Sequence, residues 1–364
     1  MKKLRFPVMF AMIGSLVLTA CATTAPVVEA PAATTAPVVS AGEEANSGGS
    51  AQSGKKLRIG LVLPDLSNLY IAGLRNGVQA EAEKTGDEVL VKGTSDATGQ
   101  TNAVLAYIAA KVDVLIIDPI DGKGIISAIE AANNAKIPVI TIQSDAAGGE
   151  RAAWIAGRED LAGLYMGLAA SDWCLGINPC KIGIIEGMKS DQSGVEEDKG
   201  FREHVAKFPN IKIVGASETQ YDAAKALNLA TNLLTANPDL NFLYAWWDPG
   251  GNAAVKAIEA KGKIGQVGVA SQNGDCIALG HVLAGRQTQT AAFFPDAIGS
   301  IAVQTAHDIA DGKPVSKFVE APVLSVDLAR ATAWLAGTAE PPALVRADIL
   351  RRLKEAKSGS CAVK

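Results

Sequence analysis

Few residues in this chain have the types and spacing that metal or covalent chemistry requires. Its three histidines are His204, His281 and His307, and none lies at ligand spacing from a cysteine, so no metal site is expected. Of the five cysteines, Cys21 stands near the start and Cys174, Cys180, Cys276 and Cys361 follow. Four is an even number, which suits a compartment where disulfides persist. Cys174 and Cys180 enclose Leu-Gly-Ile-Asn-Pro, a loop short enough for one bridge to close. No GxxxxGK[ST] loop cradles a phosphate, no GxGxxG opens a helix for a dinucleotide, and no GxSxG presents a serine nucleophile. The acidic run Glu196-Glu197-Asp198 stands at the start of a predicted helix, where it complements the helix dipole. These absences point to a binding protein rather than an enzyme, without a cofactor.

The stretch from Leu57 to Gly86 shows what positions a binding site. The apolar run Ile59–Leu63 is too short for a helix and is stopped by Pro64, so it predicts a strand buried on both faces. After the loop Pro64–Asn68, Ser67 or Asn68 can cap a helix carrying Ile71, Leu74, Val78 and Ala82 on one face, and Gly86 can end it. Ligands of open parallel sheets bind outside the carboxyl ends of the strands, which makes Asp65–Tyr70 the first candidate segment. Asp145 and Asp248 each follow a later strand's carboxyl end and are the charged candidates. Strands and helices alternate from there to Asp311, the pattern of parallel sheets covered by helices: an α/β fold.

Composition sets the compartment. Lys2, Lys3 and Arg5 precede an apolar segment that closes on Leu18-Thr19-Ala20-Cys21, which predicts a signal peptide over 1–20. Those last residues resemble a bacterial lipobox, and the resemblance implies cleavage before Cys21 and lipid attachment to its thiol. Residues 21–56 are rich in Ala, Thr, Pro, Gly and Ser and predict a disordered tether. The about 310 residues that remain exceed what one core usually serves, so two lobes are expected. The formal charge of −4 is mild and the folded part has no basic cluster, so nucleic acid is not expected as a partner.

The two halves also echo each other. Leu57–Val62 (LRIGLV) has a counterpart in Cys180–Ile185 (CKIGII), and Asp113–Pro119 (DVLIIDP) has one in Asn241–Pro249 (NFLYAWWDP). Ile59–Asn68 (IGLVLPDLSN), Leu115–Asp121 (LIIDPID), Ala135–Ile142 (AKIPVITI), Lys199-Gly200-Phe201, Leu233–Asp239 (LLTANPD) and Val267-Gly268 then carry a likeness. In order and spacing, these segments resemble the ribose/galactose class of type I periplasmic binding proteins, which serve ABC sugar importers. The resemblance implies two doubly wound parallel-sheet lobes joined by a three-segment hinge near Gly157, Phe294 and Val323. Lobe one is then 57–157 with 294–322, and lobe two 158–293 with 323–364. Because the family returns the chain to lobe two at its end, the resemblance also implies a Cys276–Cys361 disulfide beside the Cys174–Cys180 one.

Carried over by position, the resemblance implies a site containing Asn68, Tyr70, Gln143, Ser144, Trp247, Asn273 and Phe293, with Asp145 and Asp248 beside them. Ribose-type members hold charged side chains at several of these positions. Here Gln143 and Ser144 stand where they have Asp-Arg, Trp247 replaces an asparagine, Phe293 replaces a glutamine, and Val195 and Glu197 occupy the candidate positions of an arginine. Amides that both donate and accept suit hydroxyl groups, and aromatic faces suit a ring's C–H surface. Alternation along a strand lets only one of Trp246 and Trp247 face a cleft. The reading is a monomeric, exported, lipid-anchored receptor, periplasmic or on the cell surface. It delivers a neutral monosaccharide, sugar alcohol or related polyol to an ABC permease and ATPase; the alternative is a receptor passing a sugar-like signal to a membrane sensor.

Overall fold

The run Ile59–Leu63 is wholly buried and forms the central strand that its composition predicts. A computed structural model describes residues 55–361; the segment expected as a signal peptide, Cys21 and nearly all of the expected tether lie outside the described residues. From the first strand the chain runs β1 (Arg58–Leu63), α1 (Leu69–Thr85), β2 (Glu88–Gly93), α2 (Ala97–Ala109), β3 (Val114–Ile117), α3 (Ile126–Asn134), β4 (Val139–Ile142) and β5 (Ala153–Gly157). These strands lie parallel in the order β2-β1-β3-β4-β5. Asn68 caps α1 by accepting from the Tyr70 amide at 2.8 Å, and Gly86 ends it at a φ of +75° that only a residue without Cβ adopts freely. Leu74, Val78 and Ala82 are buried, as their spacing requires.

The pattern then repeats as α4 (Glu159–Trp173), β6 (Cys180–Glu186), α5 (Gln192–Val205), β7 (Ile211–Glu218), α6 (Ala223–Ala236), β8 (Phe242–Ala245), α7 (Asp248–Ala260), β9 (Gly268–Asn273), α8 (Cys276–Leu283) and β10 (Gln289–Phe293). The order in this second sheet is β7-β6-β8-β9-β10. The sequence echo has a physical cause here. Gly60 pairs with Leu115, and Gly183 with Leu243. A Cβ on Gly60 would stand 2.6 Å from Tyr107 and 2.9 Å from Leu115, and one on Gly183 2.8 Å from Leu233 and 2.9 Å from Leu243. Each central strand thus omits a side chain where its helix and neighbouring strand press in.

The remaining elements are α9 (Pro295–Ala310), β11 (Phe318–Ala321), β12 (Val323–Asp327), α10 (Leu328–Ala336) and α11 (Arg346–Ser358). Helix α9 returns to pack on α1, β11 joins the first sheet beside β5, and β12 joins the second antiparallel to β10. The chain therefore passes between the sheets three times, at Gly157–Glu159, at Phe293–Pro295 and at Ala321–Val323. These crossings touch: a Cβ on Gly157 would lie 2.7 Å from Val323 and 2.8 Å from the Phe293 ring. Strict alternation does not announce β11 and β12, because a single residue, Pro322, separates two strands of different sheets.

Both cysteine pairs are bonded, Cys174 to Cys180 and Cys276 to Cys361. One further packing detail bears on the cleft. Cβ atoms on Gly163 of α4 and Gly200 of α5 would stand 1.9 Å from the Glu197 carbonyl and 2.3 Å from the Asp160 carbonyl. Only glycine admits that approach, so α4 and α5 meet backbone to backbone.

Candidate functional site

The carboxyl ends of both sheets bring their side chains together between the lobes. Tyr70, in the first turn of α1, donates its phenol to Gln143 Oε1 at 2.5 Å. Gln143, just past β4, donates Nε2 to Glu159 Oε1 at 2.9 Å and approaches Ser193 Oγ of α5 at 3.5 Å. Glu159 opens α4, and the close approach of α4 to α5 sets the Glu197 carboxyl against it. Glu197 accepts from Gln272 Nε2 at the end of β9, and Tyr244 of β8 lies beyond. A chain of contacts Tyr70, Gln143, Glu159, Glu197, Gln272 thus runs from one lobe to the other.

Backbone strain concentrates at the same place. Among the described residues, six non-glycine residues have positive φ, and Gln143 (+56°), Gln220 (+58°), Tyr221 (+56°) and Asn273 (+117°) follow or end strands at this face. Strain of this kind persists where surrounding contacts enforce it. At Gln143 those contacts are its amide bonded to Ile155 O at 2.9 Å and its carbonyl accepting from Trp154 Nε1 at 3.0 Å.

The aromatic residues fall into two groups. Trp247 precedes α7, meets Tyr221 edge-on with ring centroids 5.2 Å apart, and rests on Gly250, where a Cβ would stand 2.7 Å from its ring. Tyr221 donates its phenol to Asp191, the N-cap of α5. Trp246 instead lines a cavity of about 510 Å³ with Glu186, Lys189, Val195, Asp198, Arg202 and Ala216, whose charges are paired among themselves. Phe293 packs in the hinge against Gly157 and Val323.

The two aspartates expected as charged contacts are spent inside their lobes. Asp145 accepts from Thr141 Oγ1 at 2.7 Å and pairs with Arg151 at 3.0 Å. Asp248 is fully buried and accepts from Ser271 at 2.5 Å, Thr290 at 2.8 Å and the Asp275 amide at 2.6 Å. Asn68 uses its side-chain oxygen as the α1 cap. Ser144 donates its amide to Asp118 Oδ1 at 3.3 Å, and Asn273 offers its carbonyl to Arg352 of α11 at 3.4 Å.

Sequence reasoning missed the acidic side of the site. The run Glu196–Asp198 is divided: Glu196 pairs with Lys199, Asp198 pairs with Arg202, and Glu197 is buried against α4 instead of serving the helix dipole. Glu197 was marked only as a candidate position of an arginine, and Asp118 at the end of β3 and Glu159 at the first crossing were not marked as site residues. The available signals were their places: a carboxylate at a strand's carboxyl end, and one two residues after a hinge glycine.

Burial pushes the Asp118 and Glu159 carboxyls up to about 7 and that of Asp248 to about 8, and raises Glu197 well above the carboxylate range, with Glu159 as its next cause. A carboxyl whose folded pKa is raised binds protons more tightly folded than unfolded. Its favourable contribution is complete below the unfolded pKa near 4 and is lost as pH rises through the folded value. These carboxyls outnumber His204 and His281, whose lowered pKa values act the other way, so the unliganded protein should melt a few °C lower at about pH 8 than at about pH 5. Scanning calorimetry across that window checks this; a melting temperature that rises with pH would refute it.

Comparison with known proteins follows the same geometry. The family model described as "Periplasmic binding protein domain" matches residues 59–314. The ribose import binding protein of Bacillus subtilis is 30% identical over 312 residues, covering 85% of this chain and 95% of that one. A solved ABC transporter solute binding protein from Mycobacterium smegmatis, with bound glycerol, is 31% identical with a TM-score of 0.70, over 77% of this chain and 97% of that one. One from Actinobacillus succinogenes with bound D-allose is 27% identical with a TM-score of 0.69, over 76% and 99%. With two parallel sheets, three crossings between them and side chains meeting at the strand ends, this chain belongs to the periplasmic binding protein domain family.

Proposed function

We propose that the protein is an extracytoplasmic solute receptor that captures a monosaccharide, sugar alcohol or related polyol between its lobes and delivers it to an ABC importer's permease and ATPase. The observation that carries this is the line of side chains from Tyr70 through Gln143 and Glu159 to Gln272, which joins the lobes where a ligand of this fold would sit. Hinge rotation about the three crossings separates Gln143 from Glu159 and admits a ligand, and closure surrounds it. Relatives named for ribose and allose support a sugar-sized ligand. The lipobox-like residues before Cys21 support a lipid anchor, the tether spacing the lobes from the membrane.

A thermal-shift screen of sugars, polyols and their amino and deoxy derivatives tests the reading, since a ligand at about 100 times its Kd adds roughly 2.7 kcal/mol of stability. No stabilisation by any of them would refute it. Ribose itself should bind weakly or not at all, because the charged partners of the ribose-type site are missing; submicromolar ribose binding by calorimetry would contradict this. For the ligand that the screen identifies, Trp247→Ala should weaken binding by more than about tenfold, since it removes an aromatic wall braced by Tyr221. An unchanged affinity would take Trp247 out of the site. Cys21→Ala should release the protein from membranes, as fractionation would show.

A further inference from the structure

Glu159 and Glu197 are both more than nine-tenths buried, and their carboxyls touch. Glu159 Oε1 accepts from Gln143, and beyond the adjoining Glu197 carboxyl its Oε2 has no partner among the described residues. Gln272 Oε1, also fully buried, has no donor either. Asp118 is buried nearby, close enough to Tyr70 to act on it together with both glutamates, and Asp191 acts on the same group from the start of α5.

The cations within reach are committed elsewhere. Arg352 holds the Asn273, Gly274 and Phe293 carbonyls and Asp348, and Arg202 holds Asp198 and Glu186. Arg158, beside Glu159 in sequence, pairs with Asp160. The site thus gathers several buried carboxyls with no cation among them, and Tyr70, Tyr244 and Tyr221 contact its members Gln143, Gln272 and Asp191. A buried carboxyl pair of this kind is costly unless a cation or a shared proton joins it. An ammonium supplies both the charge and several N–H donors, and aromatic faces add to its binding.

We propose that the ligand of this site carries a protonated amine, held between Glu159 and Glu197, in place of the uncharged ligand that the sequence suggests. This rests on the sugar-or-polyol reading above and narrows it to amino sugars and amino alditols. Asp118, Asp191 and Gln143 remain for hydroxyl groups.

Calorimetry near neutral pH with matched pairs decides the matter: D-glucosamine against D-glucose and N-acetyl-D-glucosamine, and 1-amino-1-deoxy-D-sorbitol against D-sorbitol, with choline as a cation that is not a polyol. At least one amine should bind about 100-fold tighter than its uncharged partners, about 2.7 kcal/mol. Glu197→Gln and Glu159→Gln should each remove most of that preference without lowering the melting temperature of the unliganded protein, since each replaces a buried carboxyl whose ionisation its surroundings oppose. If an uncharged sugar or alditol binds as tightly as its amine, or the preference survives both substitutions, the ammonium proposal fails and the sugar-receptor reading stands. Choline binding with no polyol bound would uphold the ammonium site and overturn the polyol reading. Binding by none of the probes overturns both.

Discussion

Replacing Arg352 by Ala should destabilise the protein by roughly 3–5 kcal/mol, the range for breaking a buried charge pair from one side. The guanidinium lies on α11, only 13% exposed, and pairs with Asp348. Its Nη1 reaches Asn273 O at 3.4 Å, Gly274 O at 3.2 Å and Phe293 O at 3.1 Å, and the group stacks on Phe294 at 5.3 Å. One side chain thus ties the last helix to the ends of β9 and β10 and to the second crossing. Without it Asp348 keeps a partly buried charge with one partner fewer, and carbonyls at the strained turn after Asn273 lose a donor. Lysine in its place keeps the charge but not the fork, so Arg352→Lys should fall between wild type and alanine. Urea unfolding measures both, and an Arg352→Ala variant within about 1 kcal/mol of wild type would show that α11 is held without this contact. Ligand affinity should fall too, because Arg352 holds the backbone at the end of β9 and at the second crossing between the sheets.

Removing the Cys276–Cys361 bridge should have a comparable effect by another route. The bond closes a loop of 85 residues in sequence separation, for which chain entropy implies roughly 4–5 kcal/mol. Its native role is visible in the packing: α11 lies along α8, and Leu279, Trp334, Ile349 and Leu353 form one buried cluster there. Cys361→Ser should therefore lower the melting temperature on the order of 10 °C, while the short Cys174–Cys180 loop, with a separation of 6, contributes less. Calorimetry of the two single-bridge variants orders them. A larger loss from the short bridge would mean that native contacts, not chain entropy, set the ranking.

Both predictions tie the segment beyond residue 314, where the family model ends, to residues inside it: Arg352 to Asn273, Gly274 and Phe293, and Cys361 to Cys276. The last two helices are built onto the second lobe, yet Arg352 reaches the backbone of both the cleft and the hinge. Arg352 thus ties α11 to the ends of β9 and β10.

Much of this protein is legible without coordinates, because the determinants are local. Ile59–Leu63 must be a buried strand, being apolar and stopped by Pro64, and Asn68 and Gly86 mark the limits of α1. Alternation then dictates parallel sheets, and the order of family-like segments supplies two lobes and the second disulfide. The site was only half legible. Tyr70 and Gln143 do meet, as their strand-end positions imply, but Asp145 and Asp248 turn inward to Arg151 and to Ser271 and Thr290, partners that are distant in sequence or chosen by rotamer. Glu159 and Glu197 are 38 positions apart on two helices, and nothing local marks them as neighbours. Their contact depends on Gly163 and Gly200 letting α4 and α5 close to backbone distance. The sequence by itself determined the fold and the face that bears the cleft, because periodicity and turn residues act over a few positions. Which carboxyls meet at the strand ends, and which cations are paired elsewhere, was decided by helix packing across the chain, which only the tertiary structure contains.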